Sequence, residues 1–567
     1  DIFMYKIKYV FLGMAAAVLA SCADLNYNEA SNRDEDWTYN SPINGVKALV
    51  YDVYAQMPSE FKDNSYGNGA LIASATDESE FALSFSPIHN YFNGGWTPSN
   101  PFSTTWDRSY RAITQVHMYL ERIQKIDLSD YEYDPDYQTM VQQFEIFPYE
   151  LRFLRAYFYF ELVRAYGDVP LVTTTLTNEQ ANSVERTPAK DVFKFIVNEL
   201  DAVAEYLPVS YNDIPGQEIG RATRGAALAL KARALLYQAS PLFNVGNDKE
   251  LWKKAAAAAK VIIDNAQRWG YKLSEYAALW GHDTFTNPEF IFVLGTQASN
   301  SFEQFNYPVG VENGNSGNCP TQALVDAYEY QADGKTFKEK HPGDVNVTVD
   351  KPYDGLDPRF ELTVVKNGDL WPSNATQQIS IETYQGGYNG APKYGATPTG
   401  YYLKKFVDGN CVTTANNQTT TRHNWIVMRL AEVYLNYAEA MYNYYGDADA
   451  KGDFGMSANE AINVLRNRPD IMMPEFHGNE GFEDRYMRER MVELAFEGQR
   501  FWDVRRWKKG TEFFKNIEEA DFKLDGNGDL ILNRVTKARQ WDEKYNLYPI
   551  PQSEIQKNGN LTQNPNW

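Results

Sequence analysis

The stretch from residue 148 to residue 166 constrains the fold more than any other part of this sequence. Its residues, PYELRFLRAYFYFELVRAY, place apolar side chains around most of the circumference of a helix. A helix that is apolar on nearly every side is stable only when it is buried between other helices. Gly167 ends this helix and Pro170 prevents it from resuming. The sequence therefore predicts a protein built of packed helices.

Two further segments are rich in small residues, which let helices approach each other closely. Residues 221–239 carry Ala222, Ala226, Ala227, Ala229, Ala232 and Ala234, and residues 253–265 repeat this composition. Paired helices with small residues at their contacts are typical of tetratricopeptide hairpins stacked into a solenoid. The sequence has no clean 34-residue repeat, so this prediction rests on helix pairing alone.

The rest of the chain divides into helical segments and one long irregular region. Helical periodicity also occurs in residues 44–57, 104–126, 188–206, 426–445, 457–468 and 482–508. Residues 288–422 are instead rich in Gly, Asn, Pro, Thr and Tyr, with a strand-like run at residues 290–294. We therefore predict a mainly α fold: a tetratricopeptide-like helical-hairpin scaffold (about residues 43–287 and 423–567) with a large loop-rich insertion containing short strands (about 288–422). Together they form a single domain, residues 43–567.

The N-terminal residues resemble a secretory signal peptide. Lys6 and Lys8 precede an apolar run at residues 9–20, which is shorter than the roughly 20 residues that span a bilayer. Residues 19–22 (LASC) match a bacterial lipobox, in which the cysteine is acylated; an ordinary signal peptide with a chance cysteine is the alternative. We predict a lipoprotein signal peptide at residues 1–21, lipidation at Cys22 and a flexible tether at residues 22–42.

Charge and cysteine content exclude several classes of function. The formal net charge of −21 repels polyphosphate, so nucleic acid is not an expected ligand. Cys319 and Cys411 lack the spacing of a zinc site and are compatible with one disulfide or with two free thiols. No phosphate loop, nucleophile elbow or metal motif is present, and no cofactor is predicted.

Several segments in one order resemble the SusD/RagB family of outer-membrane nutrient-binding lipoproteins. They are residues 151–171 (LRFLRAYFYFELVRAYGDVPL), 429–440 (RLAEVYLNYAEA), 488–507 (RERMVELAFEGQRFWDVRRW), 547–552 (LYPIPQ) and 563–567 (QNPNW), together with the lipobox. The resemblance covers nearly the whole chain after the signal peptide. It implies a tetratricopeptide-like scaffold with variable loops, a lipid-anchored position exposed on the outer membrane, and a glycan as ligand. It also implies a partner, a SusC-like TonB-dependent transporter, over which the lipoprotein sits as a lid.

The charged residues of the 488–507 segment have mainly a structural interpretation. They alternate in sign along one predicted amphipathic helix and can pair three or four residues apart. They are Arg488, Glu489, Arg490, Glu493, Glu497, Arg500, Asp503, Arg505 and Arg506. A buried network that holds helices in register is favoured over docking to the transporter, and Gly498 is expected to permit close packing of a neighbouring element.

In such proteins the ligand meets loops that project from the scaffold, and two stretches here are similar to those loops. The first is residues 89–96 (HNYFNGGW), with Asp77 upstream, and the second is residues 302–307 (FEQFNY). A third candidate is residues 384–388 (YQGGY), with Tyr394, Tyr401 and Tyr402 nearby. The predicted ligand-binding residues are Trp96, Asp77, Tyr91, Phe302 and Tyr307; no catalytic residue is predicted.

The chemistry of these residues suits sugars, because a sugar ring lies on a flat aromatic face while its hydroxyls bond polar side chains. Aromatic residues make up 14% of the chain, and a large aromatic core accounts for most of them. Trp96 is the first candidate, although a core tryptophan that anchors its loop is nearly as good an interpretation. For Tyr91, Phe302 and Tyr307 the structural interpretation is slightly favoured. Trp280 and Trp371 are assigned to packing.

Three other hypotheses are considered. A peptide-binding lipoprotein on the same scaffold remains an alternative, as does a lid with no ligand site of its own. A glycoside hydrolase is disfavoured, because it needs two carboxylates at a defined separation and sequence pairs of acids prove nothing.

Residues 525–529 (DGNGD) resemble the start of a calcium loop, but a tight turn between strands is favoured.

Overall fold

The computed structural model describes residues 45–61, 69–212, 220–280, 286–331, 337–338, 353 and 355–567. The predicted signal peptide, the lipidation site Cys22 and the tether lie outside the described residues. Within the described ranges, no helix combines the length and the apolar character needed to cross a membrane.

Sixteen α-helices are described, and they are the main secondary structure of the described residues. They are α1 (Lys47–Tyr54), α2 (Thr105–Ile123), α3 (Tyr137–Tyr166), α4 (Asn178–Ala181), α5 (Ala189–Ala204), α6 (Arg224–Ala239), α7 (Lys249–Asn265), α8 (Ser301–Asn306), α9 (Gln322–Ala327), α10 (Arg359–Thr363), α11 (Leu430–Tyr445), α12 (Ala458–Arg466), α13 (Phe482–Glu493), α14 (Arg500–Arg506), α15 (Gly510–Phe513) and α16 (Gln552–Lys557). The mainly α prediction is confirmed.

The strands are short and pair two by two, always antiparallel. They are β1 (Ser79–Phe81), β2 (Phe290–Gly295), β3 (Asn318–Pro320), β4 (Tyr330–Gln331), β5 (Phe337–Lys338), β6 (Val364–Val365), β7 (Leu370–Trp371), β8 (Ile379–Ser380), β9 (Tyr402–Leu403), β10 (Asn424–Arg429), β11 (Asn516–Leu524) and β12 (Leu530–Ala538). The pairs are β1–β3, β2–β10, β4–β5, β6–β9, β7–β8 and β11–β12.

The long helices pack as a chain of neighbours, as the tetratricopeptide-like prediction requires. Helix α2 packs on α3, α3 on α5, α5 on α6, α6 on α7, and α7 on α11, which also packs on α12. Alanines such as Ala226, Ala256 and Ala438 are fully buried at these contacts, where their small side chains permit close approach. Helix α3 lies at the centre, because residues 153–163 are buried on all sides.

Helix α3 is longer than its sequence predicts. It begins at Tyr137 rather than at Pro148, and Pro148 lies in its interior. A proline removes one intrahelical hydrogen bond, but Met140 and Phe147 on the preceding turns are buried and hold the helix together across it. The predicted end is confirmed, since Gly167 follows Tyr166 in a left-handed region with φ 72°.

Two other helix predictions are wrong in their bounds. Residues 426–429 belong to β10, because the apolar run around Ile426 pairs with the buried strand β2; helix α11 starts only at Leu430. The helix predicted over residues 482–508 is broken into α13 and α14, since Phe496 and Gly498 take positive φ values of 61° and 72°. A Cβ on Gly498 would lie 3.0 Å from Glu60 Oε1, so the predicted close packing at this glycine is confirmed.

The charged residues of the 488–507 segment form a buried network, which confirms their structural interpretation. Glu493 accepts hydrogen bonds from Arg359 and Arg429, and Arg468 lies 2.9 Å away. Asp503 pairs with Arg490 on α13. Because Arg359 lies in the loop-rich region and Arg429 lies at the start of the returning scaffold, this network ties the insertion to the helices.

Candidate functional site

Trp96, the first candidate for stacking on a ligand, lies in the protein core with 2% of its surface exposed. Its ring centroid lies 4.8 Å from those of Tyr91 and Tyr548 and 5.1 Å from that of Trp567, and it stacks on Tyr545 at 5.7 Å. Tyr91 is equally buried, and its hydroxyl lies 3.0 Å from the Tyr548 hydroxyl. The C-terminal residues thus enclose both rings, and the predicted ligand contact is corrected to a packing role.

Phe302 and Tyr307 are also interior residues. Phe302 packs edge-on against Phe61 at a centroid distance of 4.9 Å. The Tyr307 hydroxyl is buried 2.6 Å from the Asp408 carbonyl oxygen and 2.8 Å from that of Cys411. These contacts anchor the segment that follows β2 to the loop after β9, so the predicted ligand role of both residues is corrected as well.

Arg500 of α14 donates two parallel hydrogen bonds to the carboxylate of Asp77 inside the protein. Both side chains are buried, so this carboxylate has no surface to offer a ligand. The five predicted residues therefore fall into three separate interior clusters, and the structure does not bring them together on a surface.

Exposed aromatic side chains occur elsewhere, on two neighbouring loops. Phe85 is 63% exposed, Tyr388 is 53% exposed and Tyr394 is 81% exposed. Phe85 lies in the loop after β1, and both tyrosines lie between β8 and β9. A Cβ on Gly395 would lie 3.9 Å from Leu83 Cδ2, which places the two loops side by side. We call residues 83–85 and 382–396 the loop surface.

Hydrogen bonds to neighbouring segments hold the loop surface in place. The amide of Ala82 donates to the carbonyl of Gly317 at 2.8 Å, next to the β1–β3 pair. The side-chain amide of Asn389 donates to the carbonyl of Val309 at 2.6 Å. The backbone of Gln385 donates to Phe522 of β11 at 2.7 Å. The exposed rings therefore project from anchored turns.

Charged and polar groups lie among these rings. The ammonium group of Lys393 lies 4.0 Å from the ring centroid of Tyr388, within cation–π range. Glu382 accepts the Tyr388 backbone N–H at 2.9 Å and leaves its carboxylate partly exposed. Flat apolar faces with hydrogen-bonding groups beside them suit a wet ligand that has both apolar and hydroxylated sides.

Part of this surface could be predicted from the sequence. The third candidate stretch, residues 384–388, contains Tyr388, and Tyr394 was named beside it, whereas Tyr401 and Tyr402 of the same group are fully buried. Phe85 was missed, although a phenylalanine between Ser84 and Ser86 in a polar loop is the signal that could have found it. The packing roles predicted for Trp371 and Trp280 are confirmed: Trp371 is buried, and Lys405 covers the Trp280 ring at 3.8 Å.

The structure also describes the two cysteines and the stretch 525–529. Cys319 and Cys411 are both buried free thiols and do not form a disulfide. The stretch 525–529 is the turn of the β11–β12 hairpin, where the amides of Asn527 and Asp529 donate to the Asp525 carboxylate at 2.8 and 2.9 Å. In the part of the chain that the structure describes, no three His, Cys, Asp or Glu side chains are grouped to hold a metal ion.

Comparisons with known proteins agree with this architecture. Residues 288–567 match the model of the SusD family, and residues 27–236 match a model described as starch-binding associating with outer membrane. SusD-like protein P2 of Formosa agariphila is 26% identical over 436 residues, which cover 73% of this chain and 72% of that protein.

Solved structures show the same fold. A SusD-like protein from Bacteroides fragilis is 27% identical, with a TM-score of 0.75, and the match covers 94% of this chain and 98% of that one. A laminarin-binding SusD-like protein is 21% identical, with a TM-score of 0.62, and covers 94% of this chain and 100% of that one. The family models, the related sequence and the shared helical scaffold agree with one another, and this chain belongs to the SusD/RagB family.

Proposed function

We propose that this protein binds an oligosaccharide or polysaccharide on the loop surface. The observation that carries the proposal is the presence of the exposed rings of Phe85, Tyr388 and Tyr394 on two adjoining anchored loops. Exposed apolar side chains that are grouped on one surface, unlike single scattered ones, are typical of binding sites. The polar neighbours Glu382 and Lys393 supply the hydrogen-bonding groups that sugar hydroxyls need.

The affinity expected of such a surface is modest. One stacked ring contributes roughly 1 kcal/mol beyond the burial of its area. A short sugar would then bind with a dissociation constant of about 1 mM to 1 μM. A long polysaccharide that touches several rings gains more, because its repeated units raise the effective concentration at the surface.

Relatives support a carbohydrate as the ligand. The family model that matches residues 27–236 is described as starch-binding, and a laminarin-binding SusD-like protein shares the fold. The loops that differ among such proteins would set which glycan is bound. We propose a binding protein and not a glycoside hydrolase, so a reducing-sugar assay on the glycan that binds should show no hydrolysis.

Retardation in native gels cast with laminarin, starch, xylan, mannan, pectin or host mucin glycans tests this proposal. The protein lacking residues 1–22 should be retarded by one glycan class, and the triple variant Phe85→Ala, Tyr388→Ala, Tyr394→Ala should lose the retardation. Tyr133→Ala is the matched control, because Tyr133 is 94% exposed and lies outside the loop surface. Retardation that survives the triple variant, or no retardation by any glycan together with capture of peptides, would contradict the proposal.

We further propose that acylation of Cys22 anchors the protein on the cell surface, at the outer membrane, and that it delivers glycan to a SusC-like TonB-dependent transporter. The lipobox sequence and the outer-membrane description of the matched family model support this. Metabolic labelling with palmitate should mark the protein and fail in Cys22→Ala. A SusC-like barrel should co-purify with the tagged protein; its absence would contradict the transporter role but not glycan binding.

A further inference from the structure

A cavity lies away from the loop surface, between the scaffold and the C-terminal end of the chain. It has a volume of about 300 Å³ and is bounded by α2, by the segment from Pro170 to Val184 and by α16. None of its lining residues belongs to the loop surface. This volume accommodates a single six-membered ring with its substituents, at the small end of ligand pockets in proteins.

One wall of the cavity is apolar and aromatic. Trp106 and Tyr110 of α2 line it, and their ring centroids lie 5.0 Å apart. Leu176 and Leu561 extend the apolar lining from the opposite elements. The position of Tyr110 is fixed, because its hydroxyl donates to the carbonyl of Pro170 at 2.9 Å. The half-buried ring of Tyr110, backed by the buried Trp106, gives a ligand a preformed apolar surface.

The other wall carries a buried imidazole. His117 is 3% exposed and lines the cavity. Its imidazole interacts with the backbone of Thr174, whereas its Nε2 has no hydrogen-bond partner among the described residues. Desolvation, with a further contribution from Arg155, lowers the pKa of His117 to about 4, so the ring is neutral at physiological pH. A buried polar atom without a partner is rare in proteins and requires an explanation. A ligand hydroxyl or N–H next to Nε2 provides one.

The charged side chains at the mouth of the cavity form an ion pair. Glu554 and Lys557 of α16 lie there and pair with each other at 2.7 Å. The uncharged side chains of Asn178 and Asn182 also line the cavity and are exposed to solvent. The imidazole inside the cavity is neutral, and the opposite charges of Glu554 and Lys557 cancel at its mouth. The cavity therefore favours an uncharged ligand.

We propose that this cavity is a binding site for one neutral pyranose unit, distinct from the loop surface. The ring of the sugar lies against the half-buried Tyr110, which Trp106 backs, one hydroxyl donates to Nε2 of His117, and other hydroxyls bond the asparagines. A single aromatic side chain of a partner protein also fits the volume, but it carries at most one polar group. The several polar side chains around the cavity match a ligand that carries several hydroxyls.

Saturation-transfer NMR tests the proposal, with D-glucose, D-galactose, D-mannose, D-xylose and N-acetyl-D-glucosamine as probes. At least one of them should bind the protein lacking residues 1–22, with a dissociation constant on the order of 0.1–10 mM. Ala181→Phe fills the cavity from its exposed rim and should weaken binding at least about tenfold. Glu179→Phe adds the same ring to the same short helix but does not line the cavity, and it should bind normally.

Further variants separate this site from the loop surface and from misfolding. His117→Phe keeps a buried ring but removes Nε2, and it should weaken sugar binding by a similar factor. The unfolding temperature of this variant shows whether it is folded. The loop-surface triple variant removes any monosaccharide binding at that surface. Binding should persist in it, and Ala181→Phe added to the triple variant should weaken that remaining binding at least about tenfold. Loss in the triple variant alone would place the sugar on the loop surface and overturn this proposal.

The remaining outcomes also decide the question. Binding that is unchanged in Ala181→Phe, or no binding of any probe sugar, overturns the proposal without touching polysaccharide retention by the loop surface. N-acetyl-tryptophanamide is the comparison probe. The pyranose assignment is wrong if three results occur together: this probe binds, Ala181→Phe blocks its binding, and no sugar binds. The cavity then takes an aromatic side chain of a partner protein.

Discussion

Arg500 holds Asp77 through two parallel hydrogen bonds, from Nε to Oδ1 at 2.9 Å and from Nη2 to Oδ2 at 2.7 Å. The two residues are 423 positions apart in the chain. The pair fastens the segment before β1 to helix α14. Its geometry is that of a planar guanidinium matched to a carboxylate, the strongest form of ion pair in proteins.

Asp77→Asn should therefore act on stability rather than on ligand binding. The change leaves the Arg500 charge buried without its counter-ion, which typically costs about 3–5 kcal/mol in the free energy of unfolding. Urea denaturation at neutral pH measures this. Asp130→Asn, at an exposed aspartate, is the control and should change the free energy by less than about 0.5 kcal/mol. A variant with unchanged stability and lost glycan retention would restore Asp77 as a ligand residue.

Trp96→Ala should destabilise the protein by about 3–5 kcal/mol, because it removes a large ring from a closed aromatic cluster and leaves a cavity. Thermal and urea unfolding measure the loss. Tyr394→Ala removes an exposed ring and should leave stability almost unchanged while weakening glycan retention. If Trp96→Ala proves as stable as the unmodified protein, the ring is not a core residue and the present assignment fails.

Glu493→Gln tests the buried charge network through its pH dependence. Several arginines, Arg468 and Arg429 first, outweigh the opposing effect of burial and hold the pKa of Glu493 well below its usual value. A carboxylate with a lowered folded-state pKa stabilises the fold above the unfolded pKa of about 4.3, and this contribution is lost as the pH falls below it.

The free energy of unfolding of Glu493→Gln should thus fall below that of the unmodified protein by about 3–5 kcal/mol at pH 7. This difference in the free energy of unfolding should become smaller as the pH is lowered from about 5 to about 3. Urea titrations at several pH values give the curve, with the exposed Glu179→Gln as control. A gap of constant size at every pH would show that the charge of Glu493 contributes nothing.

The two thiols should be unreactive in the folded protein lacking residues 1–22. Burial raises the pKa of Cys319 far above its usual value and that of Cys411 to about 11, so neither forms the reactive thiolate at pH 8. A dithionitrobenzoate assay should detect no thiol in the native protein and both Cys319 and Cys411 in guanidinium chloride without reductant. Detection of neither after unfolding would indicate a disulfide between them, contrary to the structure.

The scaffold could be predicted from the sequence because its signals are local. The apolar circumference of residues 148–166, the alanines of residues 221–239 and the glycine at position 167 each act within a few turns of one helix. The structure kept these helices and changed only bounds. Where prediction failed, at residues 426–429 and at Phe496, a distant partner strand or a left-handed backbone angle decided the conformation.

The candidate site could be predicted only in part, because exposure is a property of the assembled fold. Trp96 and Tyr394 are both aromatic residues in Gly- and Asn-containing loops, and their local sequences do not distinguish them. The C-terminal rings Tyr545, Tyr548 and Trp567, which lie more than 400 residues away from Trp96 in sequence, close over it and not over Tyr394.

The sequence by itself thus determined that the chain is helical, that it resembles the SusD/RagB family and that its loops carry many aromatic side chains. Only the tertiary structure decided which rings face solvent, which charges are neutralised inside, and that His117 lies at a cavity without a hydrogen-bond partner among the described residues. The physical reason is that helix formation follows from neighbours along the chain, whereas burial follows from contacts between residues far apart in it.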